Sequence, residues 1–317
     1  MEPRGNCMHY IFNAPAERPA RRLRKEVYGD RRDGAVYCYD DTIILAINVA
    51  LAARRPLLVA GPSGSGKSSM ARHIAATLKW RYIEHVVTSR TQAQDLLWWN
   101  DTVRRLSDAQ TKAGVKQDYA YIEPGALWWA FSPDTAARRG RDSGLKDDEK
   151  AHPPYEGTEA DPCAPAVVLI DEIDKADPDV PNSLLVPLGS FTFRVAPVGS
   201  TITPEAAEPP LIIITTNEER ELPPAFRRRC IELRITPPSQ ERLRRIAMAH
   251  FGSTAKVKSL CDKALGLIER KQDGREISTA QFLDAIRACL GLDVEARSDD
   301  AQKVMEAAWD FLNTQGA

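Results

Sequence analysis

Residues 61–68 read GPSGSGKS, and these residue types at this spacing suit the capture of phosphate. Glycines let a backbone curl until successive N–H groups face one anion. The lysine that follows places a point charge beside it, and the next hydroxyl can ligate Mg²⁺. The expected cradle is Gly61, Pro62, Ser63, Gly64, Ser65, Gly66, Lys67, Ser68 and Ser69, with Lys67 on the β- and γ-phosphates and Ser68 on the metal. A helix opening at this point adds its positive dipole end. The plainer alternative is a glycine turn without a ligand, and a strand before with a helix after counts against it.

A second group, VVLIDEIDKAD at 167–177, sets Asp171 and Glu172 where an apolar run ends. Carboxylates at the carboxyl edge of a parallel sheet lie in the ligand crevice. Asp171 is expected to hold Mg²⁺, directly or through water, and Glu172 to polarise the attacking water as general base. The competing reading is a helix start followed by solvated charge. Asp174 and Lys175 fall in the next turn and are expected to form a surface pair. LIIITTN at 211–217 ends in Asn217, whose amide either orients a water without adding charge or serves as a turn residue. LPPAFRRRC at 222–230 stacks Arg227, Arg228 and Arg229, which repel one another and need negative charge from somewhere.

The elements that must position these groups are also legible. From Asp41, TIILAINVALAARR repeats apolar residues at helical spacing. RPLLVAG then reads as a buried strand entering the glycine turn, SSMARHIAATLKW as a helix and RYIEHVV as a strand. That order implies a parallel α/β sheet. AVVLI and LIIITT are continuously apolar, as strands covered by helices on both faces should be. SFTFRV and STITP alternate and form a candidate hairpin. Residues 132–165 are charged and rich in Gly and Pro, and read as a mobile insertion. The expected domains are a basic, loosely ordered arm over 1–35, an α/β domain over 36–237 and an all-helical domain over 238–317.

Composition narrows the classes. The 317 residues are 43% hydrophobic and 27% charged, enough for two domains with buried cores. A net charge of −1 argues against a generally nucleic-acid-binding surface. The run ARRLRKEVYGDRR from Ala20 keeps nucleic acid open, although a solvated arm is the simpler reading. No apolar run reaches the ~18 residues of a membrane span, and the N-terminus lacks a secretory core, so a cytoplasmic protein without membrane contact is expected. Six cysteines without a C-x-x-C pair imply reduced thiols. The doublets Trp98–Trp99 and Trp128–Trp129 are expected to pack in the core rather than form a partner surface.

In order along the chain, GPSGSGKSS, YIEPGALWWAF, LIDEIDKADPDVPNSLL, SFTFRV and IIITTNEERELPPAFRRRCI resemble AAA+ ATPases, and among these most of all the MoxR family. The resemblance covers about residues 36–290. It implies a P-loop NTPase fold with a parallel sheet covered on both faces and a small helical lid. It also implies a homo-oligomeric ring, commonly a hexamer, with ATP and Mg²⁺ held between neighbours. Asn217 then matches the sensor, and the arginine run matches the finger given to the next subunit, Arg229 first and Arg228 second. GREISTAQFLDAIRAC resembles the second sensor region, placing Arg275 on the γ-phosphate. ATP rather than GTP follows from the resemblance alone. The implied role is chaperone-like remodelling of a protein partner, with a von Willebrand factor A domain protein as one candidate. A nucleotide-gated switch or scaffold in a bacterial defence or signalling complex, or a motor on nucleic acid, is the alternative. Loops facing a central channel are expected in DLLWWND or the SFTFRV hairpin.

Overall fold

Two runs of unbroken apolar residues, 166–170 and 211–214, become neighbouring strands at the centre of a sheet. The computed structural model describes residues 10–16, 35–111, 114–141, 150–153, 161, 163–206, 208–270, 277–296 and 298–313. In chain order come α1 (Asp41–Ala53), β1 (Leu57–Ala60), α2 (Lys67–Leu78), β2 (Arg81–Val86), β3 (Trp98–Asn100), α3 (Thr102–Gln110) and β4 (Ile122–Pro124). α4 (Ala126–Phe131), α5 (Pro133–Ala137), β5 (Ala166–Asp171), α6 (Asp179–Ser183), α7 (Leu185–Ser190), β6 (Phe193–Val195) and β7 (Ser200–Ile202) follow. β8 (Leu211–Thr216), α8 (Pro224–Arg227), β9 (Ile231–Arg234) and the helices α9 (Gln240–Phe251), α10 (Ala255–Arg270), α11 (Thr279–Gly291) and α12 (Asp299–Asn313) complete the chain.

The main sheet has the order β2-β5-β8-β1-β9. β2 and β5 run parallel from Arg81↔Ala166 to Val86↔Asp171, and β5 and β8 from Val167↔Leu211 to Ile170↔Ile214. Every residue of β8 is buried, as is β5 up to Ile170. A strand covered on both faces has no solvent side to favour alternation. The expected hairpin forms, with Phe193 opposite Ile202 and Val195 opposite Ser200. Two features escaped the residue pattern. β9 is a four-residue edge strand too short to display a period, and β3–β4 is a three-residue antiparallel pair that brackets α3.

The chain divides into two compact units. The first comprises Met1–Ala14, Asp41–Val59 and Ile74–Leu233, and the second Pro15–Asp40, Ala60–His73 and Arg234–Ala317. The core of the first gathers Trp128, Trp129, Phe131, Val168, Ile170, Phe193 and Phe226. The two tryptophan doublets behave differently. All of α4 is buried, so Trp128 and Trp129 both lie inside, and Trp128 meets Phe193 edge to face. β3 alternates instead, so Trp98 packs against the core while Trp99 is 44% exposed. In the same unit, Asn48 of α1 clasps residue 12 by both backbone groups at 2.8 Å and fixes the buried Phe12. The stretch read as an irregular insertion opens with a helix, α5, started by a proline at its first position. The basic run near Ala20 and, within the insertion, residues 142–149, 154–160 and 162 lie outside the described residues. The second unit has its own core, in which Leu243, Leu260, Phe282, Ile286, Met305 and Trp309 join α9 to α12.

Candidate functional site

β5 and β8 end side by side, which puts the polar residues at their tips within reach of one another. Thr215 bridges them: its hydroxyl accepts the Glu172 N–H at 2.9 Å and donates to Asp171 Oδ1 at 2.5 Å. Glu172 leaves the strand in the left-handed region, at φ 60° and ψ 49°. A non-glycine residue holds that conformation only where its surroundings impose it. The Glu172 carboxylate is held from both sides, since Asn217 Nδ2 donates to Oε1 at 3.2 Å and Lys175 Nζ to Oε2 at 2.7 Å. That hydrogen bond, chiefly, raises the pKa of Lys175. The expected surface pair of Asp174 with Lys175 does not form. Lys175 turns to Glu172, while Asp174 is buried and accepts the N–H groups of Asn217 and Glu219 at 3.1 and 3.0 Å. Adjacency in sequence does not set the directions in which a tight turn sends two side chains.

The phosphate loop belongs to the second unit. Gly61 has φ 155°, and a Cβ there would stand 2.6 Å from the Ile235 carbonyl oxygen. At Gly64, with φ 73°, a Cβ would stand 2.7 Å from Ser278 Oγ. Both positions therefore demand glycine for conformation and for space. The first turn of α11 closes on the loop, its Ala280 N–H donating to the Gly64 carbonyl at 3.1 Å. Lys67 is buried and its Nζ donates to the carbonyls of Gly61 and Pro62 at 2.7 and 2.9 Å. The Tyr37 ring comes 3.5 Å from the place of a Cβ on Gly66. It stacks at a tilt on Tyr39, whose hydroxyl lies 2.9 Å from His73 Nδ1. Arg242 of α9 pairs with Asp40, and Arg245 donates to the Tyr39 carbonyl, so one strap of aromatics is tied to α9. Burial pushes the Tyr37 and Tyr39 phenols up and the His73 imidazole down.

The three arginines have different surroundings. Phe226 and Cys230 are buried and pin the short helix α8 to the core, where burial pushes the Cys230 thiol up to about 12. Arg227 meets Glu232 with two nitrogens, at 3.0 and 2.8 Å. Arg228 and Arg229 are exposed and bond the Pro224 and Ala225 carbonyls, both at 3.2 Å. Among the described residues neither of them is paired with a carboxylate.

Residues 56–230 match the model of the AAA domain, dynein-related subfamily. The chain belongs to this AAA domain family. Solved structures similar to the AAA chain include the RuvB Holliday junction branch migration motor of Thermotoga maritima, 13% identical over 83% of this chain and 66% of that one, with a TM-score of 0.42. A mutant of the same RuvB aligns at 14% identity over 84% of this chain and 68% of that one, with a TM-score of 0.46. A putative ATPase from Cytophaga hutchinsonii aligns at 13% identity over 78% and 56%, with a TM-score of 0.39. No curated protein sequence matches. The fold is that of an AAA+ P-loop protein, with a parallel five-stranded sheet flanked by helices and further helices at the C-terminal end.

AAA+ ATPase membership implies nucleotide binding, and the loop fits a phosphate. Ser65 Oγ is buried without a hydrogen-bond partner among the described residues, an orphan that a ligand oxygen would satisfy. Mg²⁺ keeps most of its waters and takes only one or two protein oxygens beside phosphate. The Asp171 carboxylate and the Ser68 hydroxyl have the required chemistry. Arg275 lies outside the described residues. Thr215 and Tyr37 emerged only with the AAA fold in view, as did the actual partners of Asp174 and Lys175. Thr215 had one visible signal, a pair of threonines, Thr215 and Thr216, that ends an otherwise apolar buried strand. Among the described residues no helix is long and apolar enough to cross a membrane.

Proposed function

We propose that the chain hydrolyses Mg·ATP at the subunit interfaces of a homo-oligomeric ring, six-membered as in the MoxR family its motifs resemble, and uses the cycle to remodel a protein partner in the cytoplasm. Residues 36–237 serve as the nucleotide-binding domain in this reading, and 238–317 as its lid. The partner class is a separate protein, with a von Willebrand factor A domain as the leading candidate.

One observation carries the proposal. The Glu172 carboxylate is held at the tip of β5 by Asn217 and Lys175, while Arg228 and Arg229 are exposed and, among the described residues, are paired with no carboxylate. A base is positioned, and a cation is available for a charge outside its own chain. Bound Mg²⁺ would neutralise phosphate charge, with Ser68 and Asp171 as its protein oxygens. Lys67 leaves the Gly61 and Pro62 carbonyls to contact the β- and γ-phosphates. Glu172 takes a proton from the attacking water, and Asn217 orients that water. Arg229 of one subunit offsets charge developing on the γ-phosphate of the next.

The test compares wild type with Glu172→Gln for nucleotide binding, steady-state turnover and particle mass by mass photometry with and without ATP. Glu172→Gln should bind ATP and turn over at least about 100-fold more slowly, since one positioned base supplies 10² to 10⁴. Wild-type turnover in that variant, or monomers alone at saturating ATP, defeats the proposal.

A further inference from the structure

Asp174 has no part in the reaction just described, yet the residue is only 3% exposed. Burying an ionised carboxylate is costly unless its lone pairs are met. Oδ2 is met by two backbone donors, the N–H groups of Asn217 at 3.1 Å and Glu219 at 3.0 Å. They converge because Glu218 between them is left-handed, at φ 63°, and such a turn points its flanking N–H groups to one side. Oδ1 is buried without a hydrogen-bond partner among the described residues. A group kept buried and half-satisfied in this way needs an explanation beyond packing.

The explanation lies in what its bonds hold. The register between β5 and β8 runs only to Ile170↔Ile214, so beyond that point side chains must join the two strand tips. Thr215 makes one link, to Asp171 and Glu172. Asp174 makes the other, by fixing the turn that carries Asn217, and the Asn217 amide reaches the Glu172 carboxylate. We propose that Asp174 is a positioning residue for hydrolysis: it sets the turn after β8 so that the Asn217 amide and the Glu172 carboxylate stay in register. The proposal rests on the reading of Glu172 as the base. Asp174 acts through Asn217 and accepts no proton itself.

The experiment uses the full chain with Asp174→Ala, Asp174→Asn and Glu172→Gln. It measures kcat and KM for ATP, affinity for a fluorescent ATP analogue with Mg²⁺, and amide hydrogen exchange over residues 211–222. Asp174→Ala should lower kcat about tenfold or more, because small misplacements of reacting groups are costly. KM and affinity should stay within about twofold, the pattern of an interaction lost only in the transition state. Exchange should quicken in the turn. Asp174→Asn, whose amide oxygen accepts the same two N–H groups, should restore kcat to within about threefold. The proposal is overturned if Asp174→Ala keeps its kcat, if its loss merely tracks weaker nucleotide binding, or if Asp174→Asn is equally impaired. Should Asp174→Ala fail to fold, Asp174→Ser, a shorter acceptor, replaces it with the same expected loss. Normal turnover in Glu172→Gln removes both the hydrolysis reading and this one. Loss there with normal Asp174→Ala turnover removes only the role of Asp174.

Discussion

At the scale of single residues, the arginine run separates into one structural member and two available ones. Arg227 is answered within its own chain by Glu232. Arg228 and Arg229 bond backbone carbonyls, and among the described residues no carboxylate compensates their charge. Arg229→Ala should therefore leave ATP affinity unchanged and lower turnover by about 10³ or more, the scale of an arginine supplied in trans. Arg227→Ala should leave turnover at the wild-type rate. Parallel binding and turnover assays check both, and equal turnover in Arg229→Ala and wild type refutes the finger. The Arg228→Ala variant completes the series, because a larger loss there moves the finger by one residue. The Glu172–Lys175 pair is partly exposed, and such pairs contribute only about 0 to 1 kcal/mol. It directs a side chain more than it stabilises the fold.

At the scale of elements, burial follows the period of the local structure. α4 is a fully buried helix, so both of its tryptophans are core residues, whereas β3 alternates and sends Trp99 outward. Trp128→Ala should cost about 3 to 5 kcal/mol. Trp99→Ala should stay within about 0.5 kcal/mol, and denaturant titrations of the two variants measure the contrast. The strap at residues 37–40 adds a pH response through His73, which is 8% exposed and bonded to the Tyr39 hydroxyl. Burial lowers the His73 pKa beneath its ordinary 6.5. The folded state thus binds this proton less readily than the unfolded chain does. The stability contributed by neutral His73 is present above pH 6.5 and lost as pH falls through the lowered value. His73→Gln should flatten the decline of Tm on that acidic side, and an unchanged decline assigns it to other groups. Among the strands, β5 and β8 were readable because continuous apolar runs have few alternatives. β9, with one buried residue in four, was not.

At the scale of the whole molecule, the chain carries two compact units with separate cores, and its proposed activity depends on more than one copy. On the proposed reading, each interface of the ring would combine Glu172 from one subunit with Arg229 from its neighbour. Mixing Arg229→Ala and Glu172→Gln chains, each inactive alone, should recover up to about a quarter of wild-type turnover, from interfaces that combine the two intact residues. No recovery on mixing, with both variants still assembling, places the arginine in its own subunit's site. A recovery that grows with concentration supports assembly as the rate-limiting requirement.

The phosphate loop, the buried parallel strands and the α/β order were determined by the sequence, because each depends on residues adjacent along the chain or repeating at a fixed period. Gly61 to Ser68 must curl as they do wherever the loop sits, and β8 must be covered on both faces. Only the tertiary structure decided which polar atoms meet at the tips of β5 and β8. It buried Asp174 beneath the turn of Asn217, turned Lys175 to Glu172, and set Arg229 on the Ala225 carbonyl, exposed. Those pairings join positions as much as 45 residues apart. Their partners are chosen by strand register and by left-handed turns at Glu172 and Glu218, neither of which residue spacing records.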